Sequence, residues 1–218
     1  MHRLSILPAG PGPKRVLALG AHSDDIEIGC GATLLRLAEE HPDLDVTWVV
    51  FCSSADRKRE AEASAEGFLA GVRSSRVIVK SHRDGFLPYA GAAVKEDFEA
   101  LKAMVTPDVI LTHYRHDRHQ DHRVVSDLTW NTWRNHLILE FEIPKWDGDI
   151  GTPNVFCSLT SATLERKIAM LMKAFPSQAG KAWFSPDLFR AMARIRGMEC
   201  VAPPDGLAEA FHCRKAMF

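Results

Sequence analysis

The 218-residue chain has no apolar run near the roughly 18 residues that a membrane-spanning helix requires. Its opening segment, MHRLSILPAGPGPKR, has too short an apolar part and too much Pro and Gly to be a secretion signal. An excess of charge of either sign is also missing: 27 Lys+Arg stand against 28 Asp+Glu, a net charge of -1. That balance argues against binding duplex nucleic acid, because neutralising phosphates takes a basic face or tail. The five cysteines contain no CxxC pair and are odd in number, which reads as reduced thiols in a cytoplasmic protein. The chain shows no internal repeat and no linker that would divide it. With 46% hydrophobic and 25% charged residues, it has the composition of a soluble globular protein with one full core.

What is present is an alternation of apolar runs and helical patterns. Residues 1–14 read as a flexible leader, with Pro8, Pro11 and Pro13 interleaved with Gly10 and Gly12. From residue 15 to 218 the pattern is that of one domain. Strands are predicted at 15–21, 45–52, 76–80, 108–113 and 137–143, separated by helices at 29–40, 56–72, 94–105 and 121–136. Further helices are predicted at 163–175, with Ser161 as N-cap, and from Ser185-Pro186-Asp187 to Arg196, closed by Gly197. Strand–helix alternation with continuous apolar strands predicts an α/β fold: a Rossmann-like, mostly parallel sheet flanked by helices. In such sheets ligands bind beyond the carboxyl ends of the strands.

Two polar segments fall at those ends. The first is Ala21-His22-Ser23-Asp24-Asp25, leaving the first strand. His22 and Asp25 are spaced so that one cation can collect an imidazole nitrogen and a carboxylate oxygen. Asp24, pointing elsewhere, would serve as a base on water acidified by that cation. The plain alternative is a helix start whose two aspartates are favoured by the helix dipole. Gly29 and Gly31 would suit a dinucleotide fingerprint, but two acids beside a pyrophosphate would repel it.

The second segment, THYRHDRHQDHR, follows the fourth strand. Four of the chain's 10 histidines, His113, His116, His119 and His122, lie within it, together with Asp117 and Asp121. A solvated basic loop is the plain alternative here. The chemical reading is that one of these histidines completes a His-Asp-His metal set, and that another supports it or moves protons, oriented by a neighbouring carboxylate.

Together the segments resemble the metal-dependent N-deacetylases of the LmbE-like, or PIG-L (N-acetylglucosaminyl-phosphatidylinositol de-N-acetylase), family. That family's AHPDD motif stands here as residues 21–25, and its HPDH motif as His119-Gln120-Asp121-His122. The likeness extends to Arg57-Lys58-Arg59-Glu60, Asp84-Gly85, Arg196-Gly197 and Ala208-Glu209-Ala210-Phe211, so it spans most of residues 15–213. The resemblance implies that His22, Asp25 and His122 hold the metal and that Asp24 is the general base. It further implies that His119 stabilises the oxyanion or protonates the leaving amine, and that Asp121 orients it. Ser23 and Gln120 replace the family's motif prolines. Neither proline is a ligand or acid–base group, so this departure bears on loop rigidity.

Five other residues are candidates for contact with substrate. Arg57 and Glu60 begin a helix beyond the second strand, and Asp84 lies beyond the third. Trp146, in the long loop 142–153, suits stacking on a sugar face, and Glu209 would close the pocket. Trp130, Trp133 and Cys30 read as core. The expected activity is hydrolysis of an N-acetyl group on an amino-sugar-containing small molecule or glycan precursor. Zinc is the expected metal; ferrous iron fits the same ligands. The alternatives are an amidase of a larger non-sugar conjugate and a metal- or nucleotide-binding module without catalysis. Family members are often oligomeric, which implies a homo-oligomer.

Overall fold

A computed structural model describes residues 4–217. Residues 1–3 of the expected leader lie outside the described residues. Residues 4–13 form no regular element, yet Leu7 is buried and packs into the core.

Seven strands form one sheet: β1 (Lys14–Gly20), β2 (Leu44–Cys52), β3 (Ser74–His82), β4 (Val109–His113), β5 (Leu137–Phe141), β6 (Val155–Leu159) and β7 (Leu207–Cys213), in the order β3-β2-β1-β4-β5-β7-β6. The first five are parallel, and β7 runs antiparallel to both β5 and β6. β1–β5 coincide with the five predicted strands; β6 and β7 were not expected. The antiparallel pair extends the sheet at one edge.

The helices are α1 (Asp25–Glu40), α2 (Ala55–Phe68), α3 (Gly91–Met104), α4 (Gln120–Thr132), α5 (Ser161–Ala174) and α6 (Pro186–Glu199). Strand residues alternate between two apolar layers. Val16 and Ala18 of β1 face a layer built with Ile26, Leu34, Phe68, Ile168 and Phe189 from α1, α2, α5 and α6. Leu17 and Leu19 face the opposite layer, with Phe98 of α3 and Val125 of α4. Trp133 belongs to this second layer and is buried, as is Cys30 in the first. Trp130 is half-buried and packs against this layer, its indole N–H donating inward to the buried Glu140 at 2.6 Å. Among the described residues no helix is long and apolar enough to cross a membrane.

Helix ends follow local chemistry. Thr160, rather than Ser161, caps α5, accepting from Thr163 N at 3.1 Å. α6 runs past Gly197 to Glu199, with Ser185 and Pro186 opening it. α1 begins at Asp25, four residues before the predicted start, and Cys30 breaks its regularity with φ -147. A Cβ on Gly29 would fall inside van der Waals contact with the Phe141 ring, so this glycine permits close approach of α1 to the sheet. That packing role replaces the phosphate-loop reading of the same residue.

Candidate active site

β1 and β4 are neighbours, while β2 and β5 lie on their outer sides, so the strand order reverses between β1 and β4. Such a switch point leaves a crevice at the carboxyl ends of the strands. The segment after β1 delivers His22, Asp24 and Asp25 to it. The segment after β4 delivers Asp117, His119, Asp121 and His122.

Three acceptors converge there. His22 Nδ1 lies 3.1 Å from His122 Nε2 and 3.3 Å from Asp25 Oδ2, and His122 Nε2 lies 3.5 Å from the same oxygen. The far side of each ring is occupied by carboxylates. His122 Nδ1 donates to Asp117 Oδ2 at 2.9 Å, which leaves a lone pair on Nε2. His22 Nε2 faces Asp84 Oδ1 at 3.1 Å and Asp121 Oδ2 at 3.3 Å, which leaves a lone pair on Nδ1. Three lone pairs aimed at one point repel unless a cation sits between them. Donors about 2.1 Å from a common ion at tetrahedral to right angles are themselves about 3.0–3.4 Å apart, so the set fits a divalent transition metal. The same demand for positive charge shows in the proton affinity of His22. Burial opposes its charged form, but Asp25, Asp121 and Asp84 raise its pKa well above the ordinary value. Burial likewise opposes ionisation of Asp25, yet His122, His113 and His22 hold it well below the usual range. Burial and the neighbouring His113 push His122 down to about 3, so it is a neutral donor.

Asp24 is buried beside this point. Its Oδ1 pairs with Arg57 Nη2 at 2.8 Å, and its Oδ2 has no hydrogen-bond partner among the described residues. Burial raises its pKa, Arg57 opposes the rise, and Asp25 adds to it. His119 caps α4, accepting from Asp121 N through Nδ1 at 3.2 Å, which leaves its proton on Nε2. Its ring centroid is 4.7 Å from that of His22, and burial and the His22 charge lower its pKa.

Two expected contacts differ from the sequence reading. Asp121 meets His119 only through its backbone N–H. Its carboxylate accepts from Gly85 N at 2.6 Å and Leu87 N at 3.1 Å and faces His22, because the first turn of α4 aims that side chain inward, where it is fully buried. The Asp121 carboxylate therefore contacts His22 rather than His119. Glu209 hydrogen-bonds with none of the converging groups and lies instead against α1 and α5. It accepts from Ala32 N, Thr33 N and Thr33 Oγ1 at 3.1, 2.6 and 2.6 Å, and from Lys167 Nζ at 2.6 Å. The break at Cys30 orphans the N–H groups of the next helical turn, and Glu209 caps them.

The other candidates lie around the rim. Asp84 is largely exposed with one oxygen on His22. Arg57 faces Asp24, and Glu60 joins Arg57 to Ser177, 2.9 Å and 2.6 Å away. Trp146 is 78% exposed on the loop after β5 and touches none of the converging groups.

Three residues given no role from the sequence belong to the site. Asp117 supports His122, and Lys145 pairs with Asp117 at 2.8 Å. His113, fully buried at the end of β4, accepts from Ala21 N at 2.9 Å and stacks on His122 with centroids 3.9 Å apart. A histidine ending an otherwise apolar strand was the signal available for it. Glu27, one turn into α1, is also fully buried. Neither of its oxygens finds a hydrogen bond of normal geometry among the described residues, although the Ser64 hydroxyl is near, and burial pushes it up to about 8.

The α/β domain thus carries a largely buried cluster of histidines and aspartates, able to hold a metal ion, at its topological switch point. The family model for GlcNAc-PI de-N-acetylase (PIG-L) matches residues 17–133, just over half of the chain, and the chain belongs to that family. It is 28% identical over 186 residues, 78% of its length and 95% of the relative's, to a protein of Escherichia coli (strain K12) named uncharacterized deacetylase YaiS. In fold it is similar to N,N'-diacetylchitobiose deacetylase from Pyrococcus horikoshii, with a TM-score of 0.72, 21% identity, and 92% of this chain and 83% of the other covered. It is also similar to GalB, the 4-carboxy-2-hydroxymuconate hydratase of Pseudomonas putida KT2440, with a TM-score of 0.74, 17% identity, and 94% and 98% covered. One architecture thus serves a deacetylase and a hydratase, so the reaction has to be argued from side chains.

Proposed function

We propose that this chain is a divalent-metal-dependent N-deacetylase that hydrolyses the acetamide of an amino-sugar-containing small molecule or glycan precursor. The observation that carries this reading is the convergence of His22 Nδ1, Asp25 Oδ2 and His122 Nε2 within 3.1 to 3.5 Å, beside a buried Asp24 with one unpartnered oxygen. Zinc suits two imidazoles and a carboxylate, and ferrous iron is served by the same set. Held there, the ion supplies Lewis acidity, polarising the amide carbonyl and acidifying water.

The protein's own groups do the rest. Asp24 Oδ2 takes the proton of the attacking water, while Arg57 on Oδ1 keeps the carboxylate turned toward it. The Nε2–H of neutral His119 donates a hydrogen bond to the developing oxyanion, and the proton that Asp24 took from water passes to the departing amine. Acetate and a free amine leave. Trp146 offers a flat face for a sugar ring at the rim, and Asp84 a carboxylate for its hydroxyls. The family's description and the name of the bacterial relative, both deacetylases, support this reading. The free thiols of all five cysteines suit a reducing compartment, and we assign the protein to the cytoplasm.

The test is metal analysis after chelation and reloading, together with acetate release from a panel of N-acetylated sugars and N-acylated non-sugar amides. Asp24→Asn should keep its metal and lose roughly 100-fold or more in rate. Cleavage confined to the non-sugar amides would point to an amidase of larger conjugates. Metal retention with no acetate from any substrate would leave a binding module.

A further inference from the structure

We infer that Lys145 is a positioning residue for the cation site, tying the loop at residues 142–151 to the imidazole of His122. This rests on the metal-dependent reading above. The Lys145 ammonium is nearly buried and lies 2.8 Å from Asp117 Oδ2, 2.6 Å from Asp149 Oδ2 and 3.3 Å from the Ile143 carbonyl oxygen, so each of its three N–H groups has an acceptor. Asp117 Oδ2 is the same oxygen that receives His122 Nδ1–H, and Asp117 Oδ1 receives His119 N–H at 2.8 Å. One carboxylate therefore sets the orientation of His122 and the backbone entry of His119, and Lys145 is the cation that holds it. Asp149 closes the arrangement by accepting from Arg118 N at 2.6 Å.

The far side of the loop is fixed separately. Arg196 donates to Glu142 through two nitrogens, at 2.8 and 2.9 Å, and to the Gly151 carbonyl at 3.0 Å. The loop is thus anchored to α6 at its ends and to the cation site through Lys145. Trp146 follows Lys145 directly and projects into solvent. A groups-in-line path runs from the exposed rim through Lys145 and Asp117 to His122 Nε2. A buried carboxylate that loses its cation is destabilised and turns toward other donors, and a metal-binding imidazole whose supporting carboxylate moves loses alignment.

The experiment is zinc affinity of the full chain, measured by competition with a chromophoric chelator, with the His122 ring N–H followed by NMR in the zinc-loaded protein. Lys145→Met should weaken zinc binding roughly 10- to 100-fold, and the His122 Nδ1–H signal should broaden or shift. Lys145→Arg, which restores a cation of similar reach, should return affinity to within about threefold of the parent. Should Lys145→Met fail to fold, Lys145→Gln carries the same test. A folded Lys145→Met or Lys145→Gln protein that binds zinc within twofold of the parent overturns the inference. His122→Ala separates this from the underlying reading. If His122→Ala abolishes binding while the Lys145 variants leave it intact, Lys145 alone is misassigned. If His122→Ala also binds normally, the cation site itself is misplaced.

Discussion

The Arg57 guanidinium meets the Asp24 carboxylate at 2.8 Å while its other nitrogen meets Glu60 at 2.9 Å, so the proposed base is tethered through α2 to the connection between α5 and α6. Burial raises the Asp24 pKa, and Arg57 is the cation that opposes the rise. Asp24 must be ionised to accept a proton. Removing the cation in Arg57→Gln should therefore move the acid limb of the kcat/KM–pH profile to higher pH and lower the plateau. An unchanged or downward-moving limb would show that Arg57 serves substrate instead.

Asp121 offers a sharper separation of roles. If its carboxylate acts through His22, as its 3.3 Å contact indicates, Asp121→Asn should weaken zinc affinity by about 10-fold. If it acted through His119, affinity would be unchanged and only turnover would fall.

Glu27 gives a stability prediction with a definite sign. Its folded pKa of about 8 lies above its ordinary value of 4.5, so the folded state holds this proton more tightly than the unfolded state. Between these two values the unfolded chain gains by ionising and the folded one does not, and stability falls as pH rises. The slope approaches roughly 1 kcal/mol per pH unit. Glu27→Gln mimics the protonated acid at every pH. In chelated protein its advantage over the parent should be small at pH 5 and grow to pH 8, measured by urea unfolding. A pH-independent difference would mean that Glu27 is ionised in the fold.

At Gly29 the prediction is steric. Gly29→Ala drives a methyl into Phe141 and should cost about 1–3 kcal/mol, read as a lowered Tm. Phe141→Leu in the same chain should recover part of the loss, because the clash is with the ring. Additive losses would place the cause elsewhere.

Most of the parallel half of the fold was legible because β1, β2, β4 and β5 are largely apolar runs, as a strand buried on both faces has to be, and the half-buried edge strand β3 still carries the short run Val77-Ile78-Val79. β6 and β7 carry no such mark. Val155, Phe156, Cys157 and Ser158 are all only half-buried, and β7 includes Glu209, whose burial makes sense only with Lys167 and the break in α1. The site divides in the same way. His22, Asp25 and His122 lie in compact motifs, and a local spacing is enough to mark them. Asp117 and Lys145 derive their roles from a contact between residues 28 positions apart in sequence, which no local pattern reports. Asp121 was found but given the wrong partner, since sequence adjacency to His119 says nothing about which way the first turn of α4 aims a side chain.

The placement of β7 between β5 and β6 has a consequence for how the molecule assembles. Residues 207–213 supply the ladder partner of β6 and the carboxylate that caps the second half of α1. The parallel strands can pair with one another first, but β6 has no neighbour and the second half of α1 no cap until β7 joins the sheet. Refolding from denaturant should therefore proceed in two stages, with hydrogen-exchange protection of the amides of Ala32 and Thr33 gained only in the second.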